Sequence, residues 1–193
     1  MRTLLRVITV LTALALLGAG SAAAQRPQTR RGFWIAFGFG YGSADFKCSG
    51  CPDADREGSA TGHLRLGGTL NPKVLLGADF TGWAKQSDGV TSAAGNGSFI
   101  VQFYPKEQSG LFLKGGAGFS NVTIEVAGEQ ASANSWGLSA GVGYDIRVGR
   151  NISLTPVADF LIAGKGDLQV DNTTVLEGVG WNLFTLGLGV TFH

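Results

Sequence analysis

The residues of this chain with the most chemical potential are His63, Arg65, Asp79, Lys114 and Asp159, each set among apolar and small residues, together with Cys48 and Cys51. Acyl transfer or hydrolysis needs a base beside a nucleophile or an activated water, most often a histidine oriented by a carboxylate. His63 is the candidate base, with Thr81 and Asp79 as its expected cross-strand neighbours, and the constellation is sparse. His193 is the last residue, and no partner for it follows from the sequence. Cys-Ser-Gly-Cys at 48–51 has the spacing of a redox motif or of half a zinc site. No second cysteine pair and only 2 histidines accompany it, so four zinc ligands are not assembled and no metal or cofactor is expected. In an exported chain the pair reads as a disulfide closing a small loop.

The segments that carry these residues alternate with period two. At the C-terminus Phe184, Leu186, Leu188, Val190 and Phe192 point one way, and Thr185, Gly187, Gly189 and Thr191 the other. The same pattern runs through 32–41, 61–70, 73–83, 93–104, 111–120, 135–146 and 152–162, which makes eight strands with the last. The bulky face of each is nearly free of charge, while Arg65, Asp79, Lys114, Asp145 and Asp159 share the glycine-rich face. A soluble barrel sorts its faces the other way. The reading is an all-β, eight-stranded antiparallel up-and-down transmembrane barrel, whose even strand count suits a single bacterial chain.

Bulk properties agree. Glycine supplies 31 of 193 residues and charged residues only 15%, against roughly 25% charged in soluble domains. Lipid-facing residues diluted one for one by small lumen residues give that mixture. Residues 1–24 read as a cleavable signal peptide, with arginines at 2 and 6, an apolar run over 7–17 and Ala22-Ala23-Ala24 before Gln25. That run falls short of the ~20 residues of a helical span. Residues 25–31 follow as a short periplasmic segment, and 32–193 form the barrel. The net charge of +1 becomes about −1 once Arg2 and Arg6 leave, and no concentrated basic face offers itself to nucleic acid.

Short connections at 71–73, 105–110 and 148–151 alternate with longer polar ones at 43–60, 84–92, 121–134 and 163–178. The latter are expected to be mobile extracellular loops, rich in acid that includes Asp53, Asp88 and Asp171, above a basic periplasmic edge that includes Arg26. Charge inside a narrow barrel is costly unless paired. Arg65 falls opposite or diagonal to Asp79 and Lys114 near Gln102, so a lumen network of Arg65, Asp79, Lys114 and Asp159 is expected, with His63 at its upper edge. Such a layer suits either a gated pore or proton-sensitive switch, or a polar plug that fixes strand register. The interior of eight strands is small enough for side chains to fill, which favours the plug. Parity also sends Trp34, Trp83, Tyr104 and Trp181 inward, either to cap the lumen or to be re-aimed by bulges.

The chain resembles the small bacterial outer-membrane β-barrels of the OmpA/OmpX type, the porin-family β-barrel domain. The residues that carry the resemblance are Val101-Gln102-Phe103-Tyr104-Pro105, 111–118 (Leu-Phe-Leu-Lys-Gly-Gly-Ala-Gly), Gly141-Val142-Gly143-Tyr144-Asp145 and Leu154-Thr155-Pro156. Thr185, Gly187, Val190 and Phe192 also look like the C-terminal barrel-assembly signal, with His193 placed after the aromatic on which the family ends. The resemblance implies a non-enzymatic barrel in the bacterial outer membrane, surrounded by outer-membrane lipid and inserted by the barrel-assembly machinery. It would serve envelope integrity, adhesion or binding of an extracellular ligand through its loops. The alternatives are a narrow porin-like channel for small solutes and a lipid-modifying enzyme using His63.

Overall fold

The computed structural model describes residues 30–51, 55–87, 89–170 and 173–193. The expected signal peptide, Arg26, Asp53, Asp88 and Asp171 lie outside the described residues. The strands are β1 (Phe33–Lys47), β2 (Glu57–Asn71), β3 (Val74–Ser87), β4 (Val90–Phe103), β5 (Leu111–Val126), β6 (Glu129–Tyr144), β7 (Ile146–Arg147), β8 (Ile152–Ala163), β9 (Gly166–Val170) and β10 (Thr173–Phe192). Asp145 interrupts one continuous stave, β6 with β7, and 164–165 interrupt another, β8 with β9, so the ring has eight staves. Each stave pairs antiparallel with its sequence neighbour, and β1 closes on β10 from Ile35↔Phe192 to Lys47↔Gly180. Closure leaves no unpaired edge at the level where lipid could not satisfy it.

Parity sets which side chain meets which environment. On β1 Phe33, Phe39 and Tyr41 are exposed while Trp34 and Ala36 are buried, so the odd positions face outward. On β5 the outward apolar run from Leu111 to Phe119 covers nine residues, the length a tilted strand needs to cross a bilayer's hydrocarbon. Phe37 and Phe192 stack across the closing seam with ring centroids 6.1 Å apart.

Beyond that belt the strands continue where loops were expected. Residues 84–92 and 121–134 belong almost wholly to the β3–β4 and β5–β6 hairpins, and parts of 43–60 and 163–178 extend β1, β2, β9 and β10. The physical reason is an inversion of polarity at constant parity. On β5 the outward Leu113 and Phe119 give way to outward Asn121, Thr123 and Glu125, while the inward positions become Val122 and Ile124. The barrel has risen out of the membrane, so water now faces its outside and the apolar residues fill its inside. The β5–β6 hairpin turns at Ala127 and Gly128, both with positive φ (52° and 87°), the two-residue turn whose twist matches the flanking strands.

Candidate functional site

The lumen is filled in layers, with apolar residues above and below the polar one. Near the periplasm Trp34, Ala36, Leu75, Ile100, Tyr104, Phe112 and Val157 form one apolar cluster. Near the cell exterior Ala44, Trp83, Ala94, Val122, Ala133, Leu161, Leu168, Val179, Trp181 and Leu183 belong to a second. Trp34, Trp83, Tyr104 and Trp181 therefore cap and fill the lumen, all at 2% exposure or less. The inward ladder of β8 reads Val157, Asp159, Leu161 from bottom to top, so the charged layer lies between the two clusters.

Within that layer the register sets Arg65 directly opposite Asp79. Arg65 Nε donates to Asp79 Oδ2 at 3.0 Å, and its terminal NH2 reaches Asp159 Oδ2 on the far side of the closing seam. Lys114 Nζ pairs with Asp79 Oδ2 and lies 3.0 Å from Asp159 Oδ1. Thr81 Oγ1 donates to the remaining oxygen of Asp79 at 3.1 Å. Two cations and two carboxylates from four staves thus form one neutral, buried quartet. Asn96, Ser98 and Ser120 add a hydrogen-bonded tier on β4 and β5 above it. A slip of any one stave by two residues toward the periplasm would carry its charge about 7 Å into the lower apolar layer.

His63 stands two positions above Arg65, opposite Thr81. Its ring lies over the Gly38–Gly189 cross-strand pair, where a Cβ added to Gly38 would fall 2.7 Å from Cε1. It makes no hydrogen bond to the charged quartet among the described residues. Cys48 and Cys51 form a disulfide, with Cα atoms 5.4 Å apart, against the outer apolar cluster. Of the C-terminal signal positions, Thr185 is buried beside Asp159 in the ladder, Gly187 faces Gly40, and Val190 and Phe192 sit on the closing seam. No cluster of metal-ligating side chains occurs among the described residues.

A second polar group at the periplasmic end was not found from the sequence. Asp145 Oδ2 accepts from Tyr104 Oη at 2.8 Å and from His193 Nε2 at 3.2 Å, while Oδ1 accepts from Thr155 Oγ1 at 2.8 Å. Thr155 bonds in turn to Thr191, and Gln102 Nε2 donates to Tyr104 Oη. The Arg30 guanidinium lies 3.4 Å over the Tyr104 ring and donates to the Glu107 and Ser109 carbonyls. Asp145 sits at the break between β6 and β7, outside the spanning strands. Burial pushes its carboxyl up, and the hydrogen bond and charge of His193, with the Tyr104 and Thr155 hydroxyls, outweigh this and hold it below the usual carboxylate range. The signal for this cap was present: Tyr104, Asp145 and Thr155 all lie in the short motifs that carry the family resemblance, and His193 is the residue appended to them.

A family model for the outer membrane protein beta-barrel domain matches residues 12–192. No curated protein matches the chain. Among solved structures, Neisserial surface protein A is similar with a TM-score of 0.57 at 18% identity, covering 85% of this chain and 98% of that one. The outer membrane protein OprG from Pseudomonas aeruginosa has a TM-score of 0.50 at 14% identity, covering 87% and 100%. The outer membrane protein AlkL, solved in lipid bilayers, has 0.50 at 16%, covering 88% and 93%. At these identities the likeness speaks for the fold alone.

Proposed function

We propose that this chain, which belongs to the outer membrane protein beta-barrel domain family, is a closed, non-enzymatic barrel that supports the envelope and presents a rigid collar of β-hairpins at the cell surface. The observation that carries this reading is the filled lumen: an apolar cluster, a neutral ion quartet and a second apolar cluster stacked in series. A conducting path would have to break the quartet and displace several of Trp34, Phe112, Trp83 and Leu161. The enzymatic alternative is weakened by the surroundings of His63, whose ring lies over two glycines and, among the described residues, makes no hydrogen bond to Thr81 or to a carboxylate that would orient it, the Thr81 hydroxyl being given to Asp79 instead. His193 does meet a carboxylate, but both side chains are completely buried in the periplasmic cap.

A deletion strain tests the proposal. Loss of the chain is expected to sensitise cells to detergent and to large antibiotics that an intact outer membrane excludes. The wild-type chain and His63→Ala should restore resistance equally. Unchanged resistance in the deletion strain would contradict the envelope role. A folded His63→Ala protein that fails to complement would favour the enzyme reading instead.

A further inference from the structure

Each periplasmic junction of the ring presents an exposed cation. Arg31 leads into β1, Lys73 lies in the β2–β3 turn, Lys106 in the β4–β5 turn and Arg150 in the β7–β8 turn. Because β1 closes on β10, these junctions fall at every second stave boundary around the circumference. The turns are held in place. Asn71 Oδ1 accepts from the Lys73 and Val74 amides at 2.9 and 3.0 Å, Ser109 N donates to Lys106 O at 3.1 Å, and Val148 N donates to Ile152 O at 3.0 Å. Each cation stands within three residues of an exposed apolar side chain at the lower margin of the lipid-facing belt, namely Phe33, Leu70, Phe103 and Val148.

The counter-charge at this end is small. Among the described residues the exposed side-chain acid is Glu107, 4.0 Å from Lys73 with both side chains about half exposed, a pair of the weak kind. Asp145 is buried and bonded to Tyr104, Thr155 and His193, and Arg30 and Arg147 are buried in the same cap. The terminal carboxylate of His193 is the other negative group. Residues 1–29, outside the described residues, contain no Asp or Glu and so bring no acid to this rim. The extracellular rim has the opposite sign: Glu125, Glu129, Asp167 and Glu177 are among acids that outnumber Lys47, Arg56, Lys85 and Lys165.

We propose that the periplasmic rim is a ring of binding positions for anionic phospholipids of the periplasmic leaflet, with a headgroup phosphate on each cation and acyl chains along the outward apolar residues above it. A zwitterionic lipid brings its own cation to its phosphate, whereas an anionic lipid leaves its charge to be balanced by the rim, so the anionic lipid is selected. The ring lies below the filled layers of the lumen, so this binding stands whether the barrel is closed or conducts.

The test uses the full barrel in phosphatidylcholine vesicles that contain a fraction of phosphatidylcholine or phosphatidylglycerol brominated on its acyl chains, which quenches an adjacent indole. Both leaflets carry the same mixture, so the direction of insertion does not matter. Phe33→Trp in a Trp136→Phe background puts the reporter at the periplasmic rim. The wild-type chain, with Trp136 exposed toward the other rim, is the comparison, and Trp136→Phe alone gives the baseline of the lumen tryptophans. At the periplasmic reporter phosphatidylglycerol should compete against phosphatidylcholine with a relative affinity of about three. This should fall to about one in molar potassium chloride, and likewise when Arg31→Gln, Lys73→Gln, Lys106→Gln and Arg150→Gln are combined. At Trp136 phosphatidylglycerol should show no preference. Equal quenching by the two lipids at the periplasmic reporter, a preference of the same size at Trp136, or a preference that survives the combined glutamine variant would each overturn the proposal. Co-sedimentation with purified murein sacculi that depends on the same cations, in a chain without a lipid preference, would assign the rim to the cell wall and overturn it as well. All of the glutamine changes lie at exposed periplasmic junctions, and retained heat-modifiable gel mobility verifies that the variants are folded.

Discussion

Replacing Lys114 by Met removes one of the two cations that balance Asp79 and Asp159 and leaves most of the aliphatic volume in place. Arg65 then faces two carboxylates alone, and the layer carries one uncompensated buried negative charge. Breaking a buried pair in this way costs about 3–5 kcal/mol. Asp79 keeps Arg65 Nε at 3.0 Å and Thr81 Oγ1 at 3.1 Å, which places the expected loss near the lower bound, at about 3 kcal/mol. Asp159→Asn alone leaves the opposite imbalance and a loss of similar size. The two changes together restore neutrality around the directly opposed Arg65–Asp79 pair, and the double variant should lose at least about 2 kcal/mol less than the sum of the singles. Equilibrium urea unfolding in phosphatidylcholine vesicles, followed by Trp fluorescence, measures all three. A Lys114→Met cost below about 1 kcal/mol, or strict additivity in the double variant, would refute the view that charge balance holds this layer.

Three further outcomes are expected. Gly40→Ala would bring a methyl within 2.7 Å of the Gly187 Cα and against the Leu186 carbonyl, backbone that cannot yield; a loss of about 1–3 kcal/mol at the closing seam should lower the folded fraction on unboiled gels. The depressed Asp145 carboxyl contributes stability that is fully present above the unfolded carboxylate value of about 3.9 and is lost as pH falls through the lower folded value. Asp145→Asn should therefore be destabilised at pH 7, and its deficit relative to wild type should shrink below about pH 4; a deficit independent of pH would count against the His193–Tyr104–Thr155 bonding as its source. Cys48→Ser with Cys51→Ser opens a loop of only four residues, so the stability lost should be at most about 2 kcal/mol, with barrel assembly intact by gel mobility and thiol titration giving no free thiol in the untreated wild type.

The membrane-crossing part of the fold was legible because lipid enforces one rule on every strand. Phe37, Phe99, Phe119 and Leu186 all had to face outward, and an exposed charge there would have been costly. The extramembrane halves were missed because the same alternation continues with the polarity of its faces exchanged. Asn121, Thr123 and Glu125 look like loop residues until Val122 and Ile124 are seen to point into the upper cluster. Arg65 and Asp79 could be placed together because a tight turn fixes the β2–β3 register. The four members of the charged network could be grouped because they share the lumen face, but which atoms pair, and the meeting of His193 with Asp145, depend on ring closure and on side chains reaching across the lumen, which no local pattern encodes. The apolar fill was understated for a related reason: Leu75, Ile100, Phe112 and Val157 occupy inward positions scattered over four staves and form a cluster only when the ring is closed.

The central claim is that the lumen is closed, and single-channel recording in planar bilayers tests it most directly. The wild-type barrel, verified as folded before insertion, should give no discrete conductance steps above the lipid baseline in molar potassium chloride at either polarity. Reproducible, long-lived steps from the wild-type protein would mean that ions pass the Arg65–Asp79–Lys114–Asp159 layer, and would contradict the account.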